Sequence, residues 1–256
     1  MKLGILGATG WLGRAQGLRL IGQGWAASDL VVLNRSGKQG GYAGMPVVWA
    51  KDAADLCAQS DVLILSVRPD DFPPVGFDAG DKLVISFMTA WTLAKLRARW
   101  PQARIARAMP NGGAPLGQSF TPWVGDLGAE DAALVSRLLS AMGAEARVAD
   151  EGQLDYLSAL SGSGSAYPAL MAQAMLADAR SRGLPEAVAL QAVEAVICGS
   201  ADFLRERMAE VGAVLDDYRS YKGITDAGIT AAEPGLTRAI HEALAAATAK
   251  ARAMGE

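Results

Sequence analysis

Three regularly spaced glycines near the N-terminus are the first residues whose pattern indicates chemistry. Gly7, Gly10 and Gly13 follow the apolar run Leu3–Leu6, and a helical stretch begins beside them at Trp11. Glycines in such a turn allow a sharp reversal, let the backbone approach an anion, and let helix and strand pack closely. Because a helix N-terminus also presents unpaired N–H groups, we predict a pyrophosphate site rather than a structural turn without a ligand. The predicted cofactor contacts are Gly7, Thr9, Gly10, Trp11, Leu12 and Gly13.

The end of the second apolar run predicts which dinucleotide would bind. An Asp or Glu at this position would hold a ribose 2′-hydroxyl and favour NAD. Here the run Leu30–Leu33 is followed by Asn34, Arg35 and Ser36, so no carboxylate is present to repel a 2′-phosphate. Arg35 offers a planar fork of donors, and its two neighbours offer neutral donors. These three residues predict NADP(H) as cofactor, the alternative being that Arg35 is an ordinary solvated arginine.

Composition excludes several classes of protein. The chain has 256 residues, with 24 basic against 27 acidic side chains, which argues against a general nucleic-acid or anionic-membrane surface. Two cysteines suggest no disulfide framework, and a single histidine, His241, argues against a histidine-based zinc site and a Ser-His-Asp hydrolase. We predict no metal site. With no signal-peptide pattern and no apolar stretch of ~20 residues, we expect a cytoplasmic protein without a membrane span.

The first 150 residues alternate short apolar runs with helical stretches. The predicted strands are Leu3–Leu6, Leu30–Leu33, 47–49, 62–67, 83–87, Arg104–Ala108 and 146–148. The predicted helices are 11–23, 51–59, 92–100 and 129–142. This alternation predicts an α/β fold with a doubly wound parallel sheet, each crossover placing a helix on one face.

From residue 151 onward the pattern is all-helical. The predicted helices are 151–160, 165–182, 185–208 and 230–253, and residues 214–228 are predicted to form a connecting loop with some helix. A helical half this apolar would expose much apolar surface alone, so we expect it to pair with a second copy. The predicted domains are 1–150, which binds NADP(H), and 151–256, which dimerises and binds substrate.

Four motifs along the chain resemble those of the pyrroline-5-carboxylate reductases. Residues 157–167, L-S-A-L-S-G-S-G-S-A-Y, are similar to the family's A-V-S-G-S-G-P-A-Y, and residues 66–69, S-V-R-P, are similar to its A-V-K-P. Residues 83–86, L-V-I-S, and 107–111, R-A-M-P-N, resemble its L-V-I-S and R-x-M-P-N. The resemblance extends over nearly the whole chain.

The resemblance implies hydride transfer from NAD(P)H to the carbon of a cyclic imine, with 1-pyrroline-5-carboxylate reduced to proline. It also implies a Rossmann domain followed by a helical domain that forms homodimers or larger rings. The motifs add Val67, Arg68, Pro69 and Met109 to the expected cofactor contacts. Asn111 is expected to hold the nicotinamide face, although a simple turn Asn after Pro110 is the alternative.

The family's late S-P-G-G-T-T-like substrate loop has its best match at residues 225–230, T-D-A-G-I-T. The resemblance places Thr230 as hydrogen-bond donor to the ring nitrogen, with Thr225 and Gly228 beside it. Asp226 replaces a proline, and a carboxylate is unfavourable next to a substrate carboxylate. Asp226 could point away, bind a cationic imine, accompany a different substrate, or cap a helix that starts near Thr230.

Ser163 and Gly164 are the remaining candidate substrate-binding residues. They could place backbone N–H groups at a helix start near the substrate, or they could form only a flexible joint. Two further functions stay open at this point. One is a related NADPH-dependent oxidoreductase acting on another imine or on deazaflavin, and the other is a non-catalytic protein that senses NADP(H).

Overall fold

The computed structural model describes residues 1–255. Two compact units divide the chain: Met1–Ser163 together with the C-terminal residues from Ala247, and Gly164–Ala246. Residues 151–163, which the sequence assigns to the helical domain, therefore pack with the first unit.

A sheet of eight strands forms the centre of the first unit. The strands are β1 (Leu3–Leu6), β2 (Leu30–Leu33), β3 (Val48–Trp49), β4 (Val62–Leu65), β5 (Leu83–Ser86), β6 (Arg104–Ala108), β7 (Ser119–Val124) and β8 (Gly143–Arg147). Their order is β3-β2-β1-β4-β5-β6-β7-β8, and every pair is parallel except β6 with β7. The first strands are added on one side of β1, and the strands from β4 onward are added on its other side. Doubly wound sheets bind ligands at such a switch point, at the carboxyl ends of the strands.

Helices cover the sheet from both faces. Those of the first unit are α1 (Trp11–Gly22), α2 (Ala53–Ala58), α3 (Leu93–Arg99), α4 (Ala129–Ser140) and α5 (Glu151–Leu157). Side-chain oxygens of Asp52, Thr92 and Asp150 cap α2, α3 and α5 by accepting a backbone N–H from the first turn. By contrast, Gly10 precedes α1 and provides no side-chain cap, so the first turn of α1 is left open.

The strand sequences explain why the sheet is buried on both faces. Alternate residues of β1 and β4 belong to two separate apolar clusters, Ile5 and Ile64 to one and Leu6 and Leu65 to the other. Since successive strand residues point to opposite faces, each cluster occupies one side of the sheet. Runs of Leu, Val and Ile without polar alternation are typical of such central parallel strands.

One strand was not predicted, and another begins earlier than predicted. β7 pairs antiparallel with β6 through Val124 and Trp123, and parallel with β8 from Ser119 to Trp123. Its sequence contains Pro122, which cannot donate to a sheet ladder and weakens the strand signal. The Pro122 carbonyl instead accepts the N–H of Met109 at 2.9 Å, just beyond the end of β6. β8 begins at Gly143 rather than at residue 146.

The second unit is helical. Its helices are α6 (Ala166–Ser181), α7 (Glu186–Glu194), α8 (Ser200–Arg205), α9 (Val211–Ser220) and α10 (Ile224–Gly255), of which the last continues into the first unit. A π-helical segment, Ala195–Gly199, joins α7 to α8, and a second one, Ser158–Gly162, follows α5.

The predicted loop over residues 214–228 is wrong, because α9 and the start of α10 occupy most of it. The actual turn is short, and Lys222 adopts a left-handed conformation there with φ of 46°. Polar residues and Gly223 marked the turn, but Asp216, Asp217 and Tyr218 lie on the exposed face of α9.

Apolar side chains are exposed across the second unit. They include Leu170, Val188, Leu190, Val196, Phe203, Tyr221, Ile224 and Leu236. Within the part of the chain that the structure describes, one helical stretch, Glu186–Arg205, is long and apolar enough to cross a membrane. That criterion is met by length and composition alone, and an apolar surface that packs against another protein would satisfy it equally.

Candidate active site

The glycine turn after β1 is shaped by close backbone contacts. Gly7 has φ of 85°, and a Cβ there would collide with the Ser66 carbonyl. A Cβ on Gly13 would collide with the Gly7 carbonyl, while one on Gly10 would lie 3.2 Å from the same oxygen. The Gly7 N–H donates to the Leu33 carbonyl at 2.8 Å, which ties the turn to the end of β2. Glycine is therefore required because backbone fills the space where side chains would lie.

The start of α1 is suited to an anion. The first N–H groups of a helix have no partner within the helix, and the aligned peptide dipoles make this end positive. Gly10 adds no side chain over these groups, and the first turn contains no acidic residue. A pyrophosphate could therefore approach the backbone without steric or electrostatic obstruction.

A cavity of about 680 Å³ opens beside this turn, at the carboxyl ends of β1, β2 and β4. Eight of the predicted cofactor residues line it: Gly7, Thr9, Gly10, Asn34, Arg35, Ser36, Val67 and Arg68. The other lining residues are Leu6, Leu33, Ala53, Ser66, Asp70, Asp71, Pro74 and Val75. Glycine backbone at one end and cationic side chains within the cavity fit a dinucleotide that carries phosphate groups.

Three predicted residues of the glycine turn lie outside the cavity lining. Trp11 is 62% exposed, and Gly13 is buried against the turn, where it sets the distance between α1 and β1. Leu12 packs against the apolar cluster under α1. Their assignment to the cofactor stays a prediction, through backbone atoms at the helix start.

The end of β2 forms a compact loop. The Asn34 side chain donates to the Lys38 carbonyl at 2.6 Å and accepts the Gly37 N–H at 2.7 Å, which fixes the loop's shape. Arg35 extends away from this turn and is 84% exposed. Its guanidinium makes an ion pair of 2.8 Å with Asp71, which follows β4. The site therefore contains a carboxylate that the sequence around β2 did not reveal.

The R-A-M-P-N segment lies at the end of β6 and does not line the cavity. Met109 is buried, and the Asn111 side chain accepts the Gly113 N–H at 2.9 Å while its backbone N–H donates to Ser119 at 3.0 Å. Asn111 thus stabilises a turn, as the simpler alternative expected. Its role at the nicotinamide stays a prediction, as does that of Pro69, which lines a neighbouring cavity.

Arg107, in the same segment, was not predicted to have a role of its own. It is 2% exposed and makes an ion pair with Glu151 at the start of α5. It also donates to the Thr89 carbonyl at 2.7 Å, and Glu151 accepts the Leu93 N–H at 2.9 Å. One buried cation therefore joins the ends of β5 and β6 to α3 and α5.

Asp155 lies one turn further along α5. Burial raises the pKa of its carboxyl group, while the positive charges of Arg107 and Arg252 act in the opposite direction. Within residues 1–255, no group of three or more His, Cys, Asp or Glu side chains is placed to hold a metal ion.

The predicted substrate residues lie at helix starts. Ser163 and Gly164 precede α6, and the Ser163 N–H donates to the Ser158 carbonyl at 3.0 Å. Asp226 does not cap a helix starting near Thr230, because α10 begins earlier, at Ile224. It lies instead in the first turn, where a negative charge interacts favourably with the helix dipole.

Four of the predicted residues share the first two turns of α10: Thr225, Asp226, Gly228 and Thr230. Asp226 and Thr230 are four residues apart and therefore lie on the same face of the helix. The Thr230 residue is exposed, and Asp226 is half-buried.

Strand order, glycine turn and cavity together define a dinucleotide-binding protein of the doubly wound α/β class. Residues 151–254 match the family model described as pyrroline-5-carboxylate reductase dimerisation. The pyrroline-5-carboxylate reductase of Synechocystis is 30% identical over 266 aligned positions, covering 100% of this chain and 99% of the relative. The Thermus thermophilus enzyme is 31% identical and covers 79% of this chain and 78% of its own. This chain belongs to the pyrroline-5-carboxylate reductase family.

Solved structures show the same fold. A pyrroline-5-carboxylate reductase from Coxiella burnetii has a TM-score of 0.86 at 25% identity and covers 100% of this chain and 98% of its own. The Plasmodium falciparum pyrroline carboxylate reductase, solved with NADP bound, has a TM-score of 0.84 at 22% identity, covering 100% and 98%. A reductive aminase from Aspergillus terreus in complex with NADPH matches more distantly, with a TM-score of 0.60 at 19% identity over 84% and 77%.

Proposed function

We propose that this chain is an NADPH-dependent reductase of C=N bonds that converts 1-pyrroline-5-carboxylate to proline. The observation that carries the proposal is the cavity at the glycine turn, in a chain that aligns along its whole length with a pyrroline-5-carboxylate reductase. Arg35 lines that cavity at the end of β2, where a carboxylate would have favoured NAD.

The first unit supplies the cofactor contacts in this proposal. The pyrophosphate binds the first N–H groups of α1, and Asn34, Arg35 and Ser36 hold the 2′-phosphate. Val67 and Arg68 form the wall of the cavity after β4. When bound, NADPH supplies the hydride, and the protein contributes orientation and exclusion of water.

The substrate contacts belong to the start of α6 and the start of α10. Ser163 and Gly164 hold the substrate through backbone N–H groups. As the imine carbon gains hydride, the C=N electron pair moves onto nitrogen, and the Thr230 hydroxyl donates a hydrogen bond to that developing lone pair. A protonated imine needs no further acid, and Asp226, one turn from Thr230, favours this cationic form electrostatically.

The helical unit forms the contact between copies in this proposal. Its exposed apolar side chains and its match to a dimerisation family support a homodimer or a larger ring of dimers. We place the enzyme in the cytoplasm, in proline biosynthesis, and we expect neither nucleic acid nor a membrane among its partners.

The proposal is tested by following NADPH oxidation with 1-pyrroline-5-carboxylate and with cyclic imines that lack the carboxylate. Fast turnover of 1-pyrroline-5-carboxylate is expected. Turnover only of imines without a carboxylate would contradict the substrate and would support the second candidate, an NADPH-dependent reductase of another imine. The observation that favours this candidate is Asp226, whose negative charge lies in the α10 segment proposed to contact the substrate and would repel a substrate carboxylate. NADPH binding without turnover of any substrate in the panel, deazaflavin included, would contradict an enzymatic function and support a sensor.

A further inference from the structure

An ion pair between Arg35 and Asp71 joins two segments that line the cofactor cavity. Arg35 follows β2, and Asp71 lies in the single turn after β4, with 2.8 Å between guanidinium nitrogen and carboxylate oxygen. β1 lies between these two strands, and the glycine turn continues from its end. The pair therefore connects the two sides of the cavity near the phosphate-binding turn.

The turn that contains Asp71 is held in place by hydrogen bonds and by a buried neighbouring side chain. Its N–H donates to the Arg68 carbonyl at 3.0 Å, and the next residue, Phe72, is fully buried. The carbonyl of Pro69, in the same turn, accepts the Trp91 indole N–H at 3.3 Å. These contacts fix the backbone of the turn that carries Asp71 at the side of the cavity.

The cavity lining contains equal numbers of positively and negatively charged side chains before any ligand binds. Its charged side chains are Arg35, Arg68, Asp70 and Asp71. A 2′-phosphate carries close to two negative charges at neutral pH, whereas the ribose hydroxyl of NAD carries none. The phosphate must therefore share Arg35 with Asp71 or displace Asp71 from Arg35. In both cases the phosphate lies near the negative charge of Asp71.

We propose that Asp71 is a specificity-determining residue that competes with the 2′-phosphate for Arg35 and so limits the preference for NADP(H) over NAD(H). This inference rests on the proposed function, in which Arg35 binds the 2′-phosphate. When NADP(H) binds, its 2′-phosphate breaks the ion pair between Arg35 and Asp71 or shares Arg35 with Asp71. When NAD(H) binds, this ion pair stays intact.

The test measures dissociation constants of NADP⁺ and NAD⁺ for the full chain by isothermal titration calorimetry. In Asp71→Asn, the ratio of the NAD⁺ constant to the NADP⁺ constant is expected to rise about two- to fivefold, the range of an exposed ion pair. Asp70→Asn is the matched control, because it removes the same charge from the same cavity without removing an ion pair to Arg35.

A ratio that stays unchanged or falls in Asp71→Asn would overturn the inference, as would an equal rise in Asp70→Asn. Arg35→Ala separates this result from failure of the proposed function. If Arg35→Ala does not weaken NADP⁺ binding, the assignment of the 2′-phosphate to Arg35 is wrong. If Arg35→Ala does weaken NADP⁺ binding while Asp71→Asn leaves the ratio of the two dissociation constants unchanged, only the role of Asp71 is wrong.

Discussion

Arg35 is exposed apart from its ion pair with Asp71, so its removal should not disturb the fold. Arg35→Ala is expected to weaken NADPH binding about ten- to a hundredfold, since hydrogen bonds to charged groups contribute about 1.5–3 kcal/mol. NADH binding should change little because NADH has no 2′-phosphate. Fluorescence titration with both cofactors measures the difference, and Lys38→Ala removes a nearby loop cation as a control. Equal losses for NADPH and NADH would contradict the assignment.

Thr230 is exposed on α10, and its hydroxyl is the proposed donor to the substrate nitrogen. Thr230→Ala is expected to lower kcat about tenfold or more while leaving the Kd of NADPH unchanged. Steady-state kinetics with 1-pyrroline-5-carboxylate, together with a cofactor titration, checks both parts. Thr237→Ala, an exposed threonine further along the same helix, is the control. Unchanged turnover in Thr230→Ala would remove this residue from the mechanism.

Individual residues show where prediction from sequence ends. The position of Asn34, Arg35 and Ser36 at the cavity could be predicted because they directly follow a recognisable strand. Asp71 could not be assigned to the same site, because its ion pair joins residues 36 positions apart. Arg107 offered a weaker signal, a charged residue within an apolar strand, and its partner Glu151 is likewise distant in sequence.

At the scale of elements, the packing of α1 on β1 depends on a backbone contact. Gly13→Ala is expected to destabilise the protein by about 1–3 kcal/mol and to lower its affinity for NADPH. The reason is that the new Cβ would overlap the Gly7 carbonyl and displace α1. Thermal unfolding and cofactor titration measure the two effects.

Gly22→Ala provides the matched control for that change. Gly22 is the last residue of the same helix, and a Cβ there meets nothing within 4 Å. This variant is expected to be as stable as the parent or slightly more so. If Gly13→Ala has the same unfolding temperature and the same affinity for NADPH as Gly22→Ala, the proposed close packing is contradicted.

The predicted bounds of β1, β2 and β6 agree with the structure because apolar runs between turns identify buried strands directly. β7 escaped prediction since Pro122 interrupts its pattern, and its place beside β6 depends on antiparallel pairing that local sequence does not specify. The start of α10 was placed too late because Gly223 and Gly228 resemble one long loop, although only Gly223 lies in the turn.

At the scale of the whole molecule, the apolar surface of the second unit should be buried between copies of the chain. Leu190 is 46% exposed on α7. Leu190→Asp is expected to shift the protein toward monomer, because burying an unpaired charge in an apolar interface is unfavourable. Light scattering after size-exclusion chromatography measures the mass.

Leu116→Asp serves as control, since Leu116 is 72% exposed but belongs to the first unit. The parent protein is expected to be at least a dimer. A monomeric parent, or an equal loss of association in both variants, would contradict a role for the helical unit in self-association.

The glycine turn has an evolutionary consequence. The anion contacts proposed for it use backbone atoms, which every amino acid supplies, while Trp11 faces solvent and Leu12 packs locally. Side chains beside the turn can therefore diverge widely as long as the three small positions persist.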